Sequence, residues 1–369
     1  MRIAVMHYAD VRNYGDVLFP RVLAHELKSR LPDATFDFFA PTGDSCPPLN
    51  SRRFDQADPS LYNAVLMGGG QVVHRGDDFL RQCYESYRLS PIPNPTDMVF
   101  GWTDWDVAFK AWIGVGIPPP TGQAKHSIAV VARRLSHVSV RGTLSAAAFA
   151  SATDRQIDQR IPDLGWLFPG LAGRERWPVP ISLSEQIGDS PYLTIQTLPW
   201  DAVKENTPHI IQTLDHLKNQ WGLRVVLLPI TDYCRDHQMM CHLNQAAGGR
   251  FVLLNPGLTY EERGRVLLDS KAFLGQSLHG LITVLASGSP AGAIMPHTGD
   301  PKFIESLEDL GLAHLRIDEW SQFAELARRI CEQKQEVIAA TARAAIQSLS
   351  NYFDDLAEQI RRSHENGRE

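Results

Sequence analysis

Short hydrophobic runs alternate with amphipathic stretches along most of this chain, a pattern typical of strands and helices that follow one another in an α/β protein. The clearest instance is Leu274–Pro290, which reads LGQSLHGLITVLASGSP. An apolar run stops at Gly275, polar residues follow, and a second apolar run occupies Leu281–Ala286. This order predicts a strand, a tight turn and a helix whose N-terminus is capped by the hydroxyl of Ser277.

The same pattern predicts the surroundings of His279. This residue would lie in the first turn of the helix, beside backbone N–H groups that have no helical partner. A helix that begins at the carboxyl edge of a parallel sheet commonly binds anions, and a histidine titrates near neutral pH. The alternative is a turn in which the histidine only caps or packs. The candidate anion- or substrate-binding residues here are Ser277, Leu278, His279 and Gly280.

Two loops in the N-terminal half follow predicted strands in the same way. The strand Arg2–His7 precedes an Asn/Gly/Asp loop and an amphipathic helix, and the strand Asn63–Met67 precedes three consecutive glycines. Ligands bind at this carboxyl edge in doubly wound folds, and glycines let backbone amides approach a ligand closely. The alternative is a loop composition that serves only the backbone conformation. The candidate binding residues are Asn13, Gly15, Asp16, Gly68, Gly69 and Gly70.

Arg141 directly follows a further predicted strand, His137–Val140, and precedes the predicted helix Leu144–Ala150. A guanidinium at a sheet edge can bind a carboxylate or a phosphate through two parallel hydrogen bonds. Arg141 is therefore a candidate ligand for an anionic substrate. Nucleotide binding is not predicted, since the chain has neither a Walker lysine after the glycines nor a G-x-G-x-x-G spacing there.

Two other residue groups have competing interpretations. Trp102 and Trp105 suit stacking on a sugar, but large aromatic side chains also fill cores. Cys234, His237, Cys241 and His242 fall at helical spacings, yet zinc requires tetrahedral convergence, which one helix rarely provides for all its ligands. We therefore predict ordinary helix packing for this group and no metal site.

The chain is too long for one compact core, since it has 369 residues. A stretch rich in Gly, Arg, Pro and Ser, Leu171–Asp189, lacks periodicity and separates two strand–helix series. The predicted fold is α/β, with two Rossmann-like domains facing a central cleft. The expected parts are an N-terminal domain at 1–170, a linker at 171–190, a C-terminal domain at 191–349 and a helical tail at 350–369.

Composition narrows the function classes. The net charge of −6 argues against a general nucleic-acid or anionic-membrane surface. The N-terminal MRIAVMHYAD enters a strand without the long apolar region of a signal peptide, and no apolar run approaches the roughly 20 residues of a transmembrane helix. We expect a cytoplasmic protein without a transmembrane segment, and no oligomeric state is predicted.

Taken in order, the loops resemble those of the polysaccharide pyruvyl transferases. The resemblance extends from about Ile3 to Leu310. It implies a two-domain fold similar to GT-B glycosyltransferases and phosphoenolpyruvate as the donor substrate, with no further cofactor. It also implies transfer of a pyruvyl group as a ketal onto a sugar or lipid-linked saccharide in polysaccharide or exopolysaccharide biosynthesis. The segments that carry the resemblance are Asn13-Tyr14-Gly15-Asp16, Gly68-Gly69-Gly70, Val138-Ser139-Val140-Arg141-Gly142, Pro162-Asp163, Ser277-Leu278-His279-Gly280 and Gly288-Ser289-Pro290.

The chain departs from this family at one position. Members often have arginine two residues before the histidine, where this chain has Ser277, so Arg141 or Lys302 is expected to hold the phosphate or carboxylate. The resemblance implies His279 as the acid–base residue, with Asn13 and Asp16 orienting the sugar. Two alternatives stay open: a nucleotide-sugar-dependent GT-B-type glycosyltransferase or epimerase, and a non-catalytic member that binds a glycan or a partner.

Overall fold

The computed structural model of the protein describes residues 1–9, 13–43, 49–71, 101–198, 201–231, 235–295 and 301–366. The chain forms two compact α/β units. One comprises Met1–Leu164 with Ile346–Glu369, and the other comprises Gly165–Ala345. The sequence predicts a loop or lid at 76–95 and solvent exposure for His74 and Arg75, and all of these residues lie outside the described ranges.

The first unit is built on a parallel sheet with the strand order β3-β2-β1-β4-β5-β6-β7. Its central strands β1 and β4 are almost wholly buried hydrophobic runs, as expected for parallel strands that helices cover. The strands are β1 (Arg2–Met6), β2 (Thr35–Ala40), β3 (Arg52–Arg53), β4 (Ala64–Gly68), β5 (Phe109–Val115), β6 (His137–Arg141) and β7 (Gln159–Ile161). The connecting helices include α1 (Tyr14–Arg30), α2 (Gly122–Ala132) and α3 (Gly142–Ala150).

The second unit has its own parallel sheet, with the strand order β10-β9-β8-β11-β12-β13. Its strands are β8 (Tyr192–Gln196), β9 (Arg224–Leu227), β10 (Val252–Leu253), β11 (Ala272–Gly275), β12 (Ala291–Ile294) and β13 (Arg316–Ile317). Its helices include α4 (Phe168–Glu175), α5 (Ile181–Ile187), α6 (Asp201–Glu205), α7 (Thr207–Trp221), α8 (Asp236–Ala246), α9 (Tyr260–Asp269), α10 (Leu278–Ala286), α11 (Pro301–Glu308) and α12 (Phe323–Glu332). The last helix of the chain is α13 (Gln335–Asn366).

The strand order reverses once in each sheet. In the first unit β1 lies between β2 and β4, and in the second unit β8 lies between β9 and β11. The connections that leave the two neighbouring strands therefore run in opposite directions, which opens a crevice at the carboxyl ends of the strands. This topological switch point is where open α/β sheets bind their ligands, and it lies between β1 and β4 in one unit and between β8 and β11 in the other.

The boundaries of the two units differ from the domain boundaries expected from sequence. The segment 171–190, expected as a linker, carries the end of α4 and all of α5, and it belongs to the second unit. Leu171, Leu183 and Ile187 are buried there. Helices this short contain too few apolar positions to show a clear period, so the apparent absence of a pattern is explained by their length.

The tryptophans differ in their surroundings. Trp102 is fully buried, which agrees with core packing rather than sugar stacking. Trp105 is half-buried and stacks on Tyr62, with the ring centroids 6.1 Å apart. The ring of Trp102 therefore has no face open to a sugar, and one face of Trp105 is occupied by Tyr62. Among the helices in the described ranges, none has the length and apolar character needed to cross a bilayer.

The second half of α13 packs in the first unit. Its Tyr352 is 1% exposed, and the hydroxyl lies 2.7 Å from Oγ of Ser139 and 3.0 Å from Nε2 of His137, both on β6. Arg30 of α1 donates to Oδ1 of Asp354 at 2.6 Å. The residues expected as a C-terminal tail thus form part of the core of the first unit.

We predict that Tyr352→Phe destabilises the first unit by about 1–3 kcal/mol, because it leaves two buried polar side chains on β6 without the hydroxyl. The measurement is the midpoint of urea unfolding. Asp355→Ala, an exposed change on the same helix, is the control and should shift the free energy of unfolding by no more than about 0.5 kcal/mol. Equal midpoints for Tyr352→Phe and wild type would contradict this role of the hydroxyl.

Candidate functional site

The loops after β1 and β4 lie side by side at the switch point of the first unit. Asn13 caps α1, and its Oδ1 accepts a hydrogen bond from the amide of Gly15 at 3.1 Å. A Cβ placed on Gly70 would lie 3.1 Å from Oδ1 of Asp16, so these two residues are direct neighbours. The structure therefore brings together two candidate motifs that are far apart in the sequence.

The consecutive glycines have a packing reason in addition to the ligand role predicted for them. Gly69 has a φ of +72°, and a Cβ there would lie 2.3 Å from the ring of Phe19 on α1. Gly68 ends β4, and its Cβ position lies 3.3 Å from a methyl group of Leu23. Close contact between α1 and β4 thus requires glycine at position 69, whether or not a ligand approaches this loop.

Arg141 is buried at the carboxyl end of β6 and forms an ion pair with Asp163. Its Nη1 donates to Oδ2 of Asp163 at 2.8 Å, and the two side chains are 3% and 1% exposed. The other terminal nitrogen lies 2.7 Å from the Cβ position of Gly116, whose amide donates to the carbonyl of Gly70. Arg141 is thus adjacent to the Gly70 loop, and its charge is balanced inside the protein.

We predict that Asp163→Ala destabilises the protein by about 3–5 kcal/mol, because it leaves a buried guanidinium without its counter-charge. The double variant Arg141→Met/Asp163→Ala removes both charges and should be more stable than Asp163→Ala alone. Chemical denaturation of the single and double variants measures the two free energies. Strictly additive costs would show that the ion pair has no energetic coupling.

His7 is a buried histidine near this edge that sequence reasoning did not single out. It follows β1, its Nδ1 accepts from the amide of Ala9 at 2.9 Å, and its Nε2 lies 3.0 Å from Oγ of Ser51. Since Nδ1 accepts, the proton resides on Nε2, which donates to the serine hydroxyl. Burial lowers the pKa of His7 to about 3, so the ring is neutral at physiological pH.

This pKa predicts a pH-dependent stability. An unfolded histidine titrates near 6.5, so the contribution of His7 to folding is complete above that pH and is lost as the pH falls towards 3. Between pH 7 and pH 5 the wild type should lose about 2 kcal/mol more than His7→Gln, whose amide oxygen can accept from Ala9 but does not titrate. Urea unfolding at both pH values measures this difference, and parallel losses would contradict it.

The turn from β11 into α10 lies at the switch point of the second unit, and its predicted form is confirmed. Ser277 is the N-cap, and its Oγ accepts from the amide of Gly280 at 3.1 Å. His279 lies in the first turn and is half-buried, while Leu278 is buried. Gly288, with a φ of +86°, follows the helix end.

Gly280 is required where α10 packs on the sheet. A Cβ at this position would lie 2.8 Å from Cδ1 of Ile230 and 2.9 Å from the ring of Phe273. The first turn of α10 is therefore seated closely against the ends of β9 and β11. The sequence did not point to three buried polar residues at the same edge, because isolated polar residues at the ends of strands and helices form no pattern. These are Gln196, Asp236 and Gln276.

The remaining candidate cation, Lys302, lies at the start of α11. Its ammonium group is 5.5 Å from the ring centroid of Phe303, and the residue is half-buried. The predicted site residues thus divide between the units. The first unit holds Asn13, Gly15, Asp16, Gly68, Gly69, Gly70 and Arg141, and the second unit holds Ser277, Leu278, His279, Gly280 and Lys302.

Within the cysteine and histidine group on α8, Sγ of Cys241 lies 3.4 Å from Nε2 of His237. Cys234 lies outside the described residues. Within the described ranges, no three His, Cys, Asp or Glu side chains are arranged as a metal site. A metal-binding role for this group therefore has no support from the described geometry.

Comparison with known proteins identifies the family. A sequence model of the polysaccharide pyruvyl transferase family matches residues 13–298, which is most of the chain and includes the loops at both switch points. The chain belongs to this family. A sequence search of curated proteins finds no match for this family member.

Solved structures show how widely the fold of this pyruvyl transferase family member is shared. UDP-GlcNAc 2-epimerase from Methanocaldococcus jannaschii is similar with a TM-score of 0.54 and 8% identity, covering 95% of this chain and 100% of the epimerase. The α,α-trehalose 6-phosphate synthase from Burkholderia multivorans is similar with a TM-score of 0.55 and 12% identity, covering 100% and 97%. Likeness at such identities shows the fold alone, and the predicted two-domain GT-B-like architecture is confirmed.

Proposed function

We propose that the protein transfers the pyruvyl group of phosphoenolpyruvate to two hydroxyls of a sugar, which forms a cyclic ketal and releases phosphate. The observation that carries this proposal is the membership of the polysaccharide pyruvyl transferase family together with His279 in the first turn of α10. That turn lies at a switch point, where a parallel sheet binds its ligand. The acceptor is a saccharide of a polysaccharide or of its lipid-linked precursor.

Donor binding requires partners for a phosphate and a carboxylate, since burial of an unpaired anion is costly. The N-terminus of α10 offers amide N–H groups and the positive end of its dipole to one of the anions. Arg141 and Lys302 are the cations proposed for the other charges. Because Arg141 is already paired with Asp163, its contribution would be the direction of its N–H donors more than net positive charge.

His279 is the proposed acid and base. In its protonated form it donates a proton to the methylene carbon of the donor while the first sugar hydroxyl attacks the adjacent carbon. The C–O bond to phosphate then breaks, and the second hydroxyl attacks the same carbon to close the ketal. One hydroxyl proton ends in the new methyl group and the other leaves with phosphate. A single residue that cycles between acid and base satisfies both transfers.

Asn13 and Asp16 are the residues proposed to orient the sugar. Asp16 lies beside the Gly70 loop, where a carboxylate oxygen can accept from a sugar hydroxyl. Asn13 already uses Oδ1 to cap α1, so its side-chain NH₂ group is the part that can donate to a ligand. These roles are compatible with the local geometry of the first unit.

The main competing function is nucleotide-sugar chemistry, because the structures with a similar fold include a UDP-GlcNAc 2-epimerase and S. aureus MnaA with UDP. Thermal-shift measurements with phosphoenolpyruvate, UDP and UDP-GlcNAc distinguish pyruvyl transfer from nucleotide-sugar chemistry. Stabilisation by phosphoenolpyruvate alone supports pyruvyl transfer, and stabilisation by either uridine nucleotide alone supports the competing function. No shift with any of the three would favour a member that only binds a glycan or a partner.

We predict that His279→Asn folds normally, still binds phosphoenolpyruvate, and turns over about 10² to 10⁴ times more slowly than wild type. Asparagine retains hydrogen-bonding capacity but cannot shuttle a proton. The measurement is phosphate release in the presence of donor and acceptor. His216→Asn is the control, since it makes the same change at an exposed histidine of α7 and should keep full activity.

Two outcomes would overturn the role of His279. One is a folded His279→Asn enzyme with wild-type phosphate release, which would show that the histidine is only part of the turn. The other is a loss of donor binding that accounts for the entire defect, which would make His279 a binding residue.

A further inference from the structure

A buried carboxylate lies beneath the turn that carries His279. Asp236 is the first residue of α8 and is 0% exposed. Its Oδ2 accepts three hydrogen bonds: from the amide of Ile230 at 2.8 Å, from the amide of Thr231 at 3.1 Å, and from Nε2 of Gln196 at 3.2 Å. The donors come from the loop after β9 and from the end of β8, so one oxygen joins two strands at the switch point.

One line of contacts leads from Asp236 to the residue that opens the β11–α10 turn. Oε1 of Gln196 accepts from the backbone amide of Gln276 at 3.1 Å. Oε1 of Gln276 in turn accepts from the amide of Leu198 at 2.7 Å. Gln276 immediately precedes the N-cap Ser277. The carboxylate of Asp236 therefore orients the side chain of Gln196, which binds the backbone amide at the start of this turn.

A second line of contacts reaches the other side of His279. The amide of Ile230 is held by Asp236, and its carbonyl accepts from Nη1 of Arg263 at 3.1 Å. The side chain of Ile230 lies against the first turn of α10, since its Cδ1 is 2.8 Å from the Cβ position of Gly280. Gly280 is the residue after His279. Gln276, which precedes the turn, and Ile230, which packs against it, are thus both held by contacts that lead to Asp236.

We propose that Asp236 is a positioning residue for His279, an inference that rests on the function proposed above for that histidine. The carboxylate holds Gln276 through Gln196 and holds Ile230 directly, and these two contacts set the position of the first turn of α10. Asp236 touches neither substrate nor the reacting atoms, because it is fully buried. Its effect on transfer passes through the orientation of the imidazole alone.

The chemistry of the site favours a carboxylate over other side chains. Three donors converge on one oxygen, which matches the acceptor capacity and charge of an ionised carboxyl group. Burial raises the pKa of Asp236 above its ordinary value, and the three hydrogen bonds and the charge of Arg263 oppose this rise. Asparagine can replace the accepting oxygen but places an NH₂ group where Oδ1 has no hydrogen-bond partner among the described residues. Alanine removes all three bonds.

The test compares Asp236→Ala and Asp236→Asn with a matched control in the same unit. Tyr192→Phe is the control, since it removes one buried hydrogen bond, from the tyrosine hydroxyl to the carbonyl of Val266 at 2.7 Å. It weakens the unit without touching the turn. The structural readout is the ¹⁵N NMR signal and pH titration of the His279 imidazole, assigned with His279→Asn. The functional readout is phosphate release at saturating phosphoenolpyruvate.

We expect Asp236→Ala to alter the chemical shifts and titration midpoint of His279 and to lower kcat on the order of tenfold to a hundredfold, the usual effect of misplacing a reacting group by about 1 Å. The donor KM should change much less. Asp236→Asn keeps one accepting oxygen and should restore part of both properties. Tyr192→Phe should leave the His279 signals and kcat at their wild-type values.

Unchanged His279 signals in folded Asp236→Ala would overturn the proposal, and so would an equal change in Tyr192→Phe. If Asp236→Ala does not fold, Gln196→Met serves in its place. It removes the side-chain link between Asp236 and Gln276, leaves the bond from the amide of Gln276 to the carbonyl of Gln196, and should alter the same signals. The NMR readout does not require turnover. If wild type shows no pyruvyl transfer but Asp236→Ala still moves the His279 signals, the function fails while the coupling stands.

Discussion

The reversal of strand order beside β1 and beside β8 is the constraint on which the candidate site depends. In a parallel sheet, each connection leaves the carboxyl end of its strand and crosses a face of the sheet. Where the strand order reverses, the connections from two neighbouring strands run in opposite directions, and a crevice opens between them. The first unit places Asn13, Asp16 and Gly70 at its reversal, and the second unit places Ser277 and His279 at its own. Chemistry-bearing loops are thus concentrated where the fold itself leaves open space.

Open space at a sheet edge exposes strand ends whose polar groups need partners, and buried side chains supply them. Arg141 and Asp163 pair at the end of β6, His7 links the end of β1 to Ser51, and Asp236 holds the loop after β9. Burial of each of these polar groups costs desolvation free energy, and the hydrogen bonds that the group forms offset this cost. The consequence is a rigid edge in each unit, which is the condition under which a loop residue such as His279 can hold a defined orientation.

Local patterns were enough to predict the strand, turn and helix around Ser277, because a cap, an apolar helical run and a C-terminal glycine agree there. They were not enough to predict α4 and α5, which are too short to show a period. Nor could they predict that Tyr352 packs in the core of the first unit, because its contact with Ser139 joins residues far apart in the sequence. Sequence also suggested a ligand reason for Gly69, whereas its contact with Phe19 gives a packing reason. The fold class was predictable, but the supporting contacts of the site arise only from tertiary structure.

The serine at position 277 can be understood from the geometry of the cap. A side chain that caps a helix accepts a hydrogen bond from the first turn, and Oγ of Ser277 does so from Gly280. An arginine side chain has no acceptor, so an arginine at this position would bring a cation to the turn at the expense of the side-chain cap. Serine has the opposite effect, since its hydroxyl orders the first turn of α10 and brings no positive charge to it. For the donor proposed above, a turn that is better ordered but less positive would depend on the direction of its amide N–H groups more than on charge, so the placement of those amides and of His279 matters more.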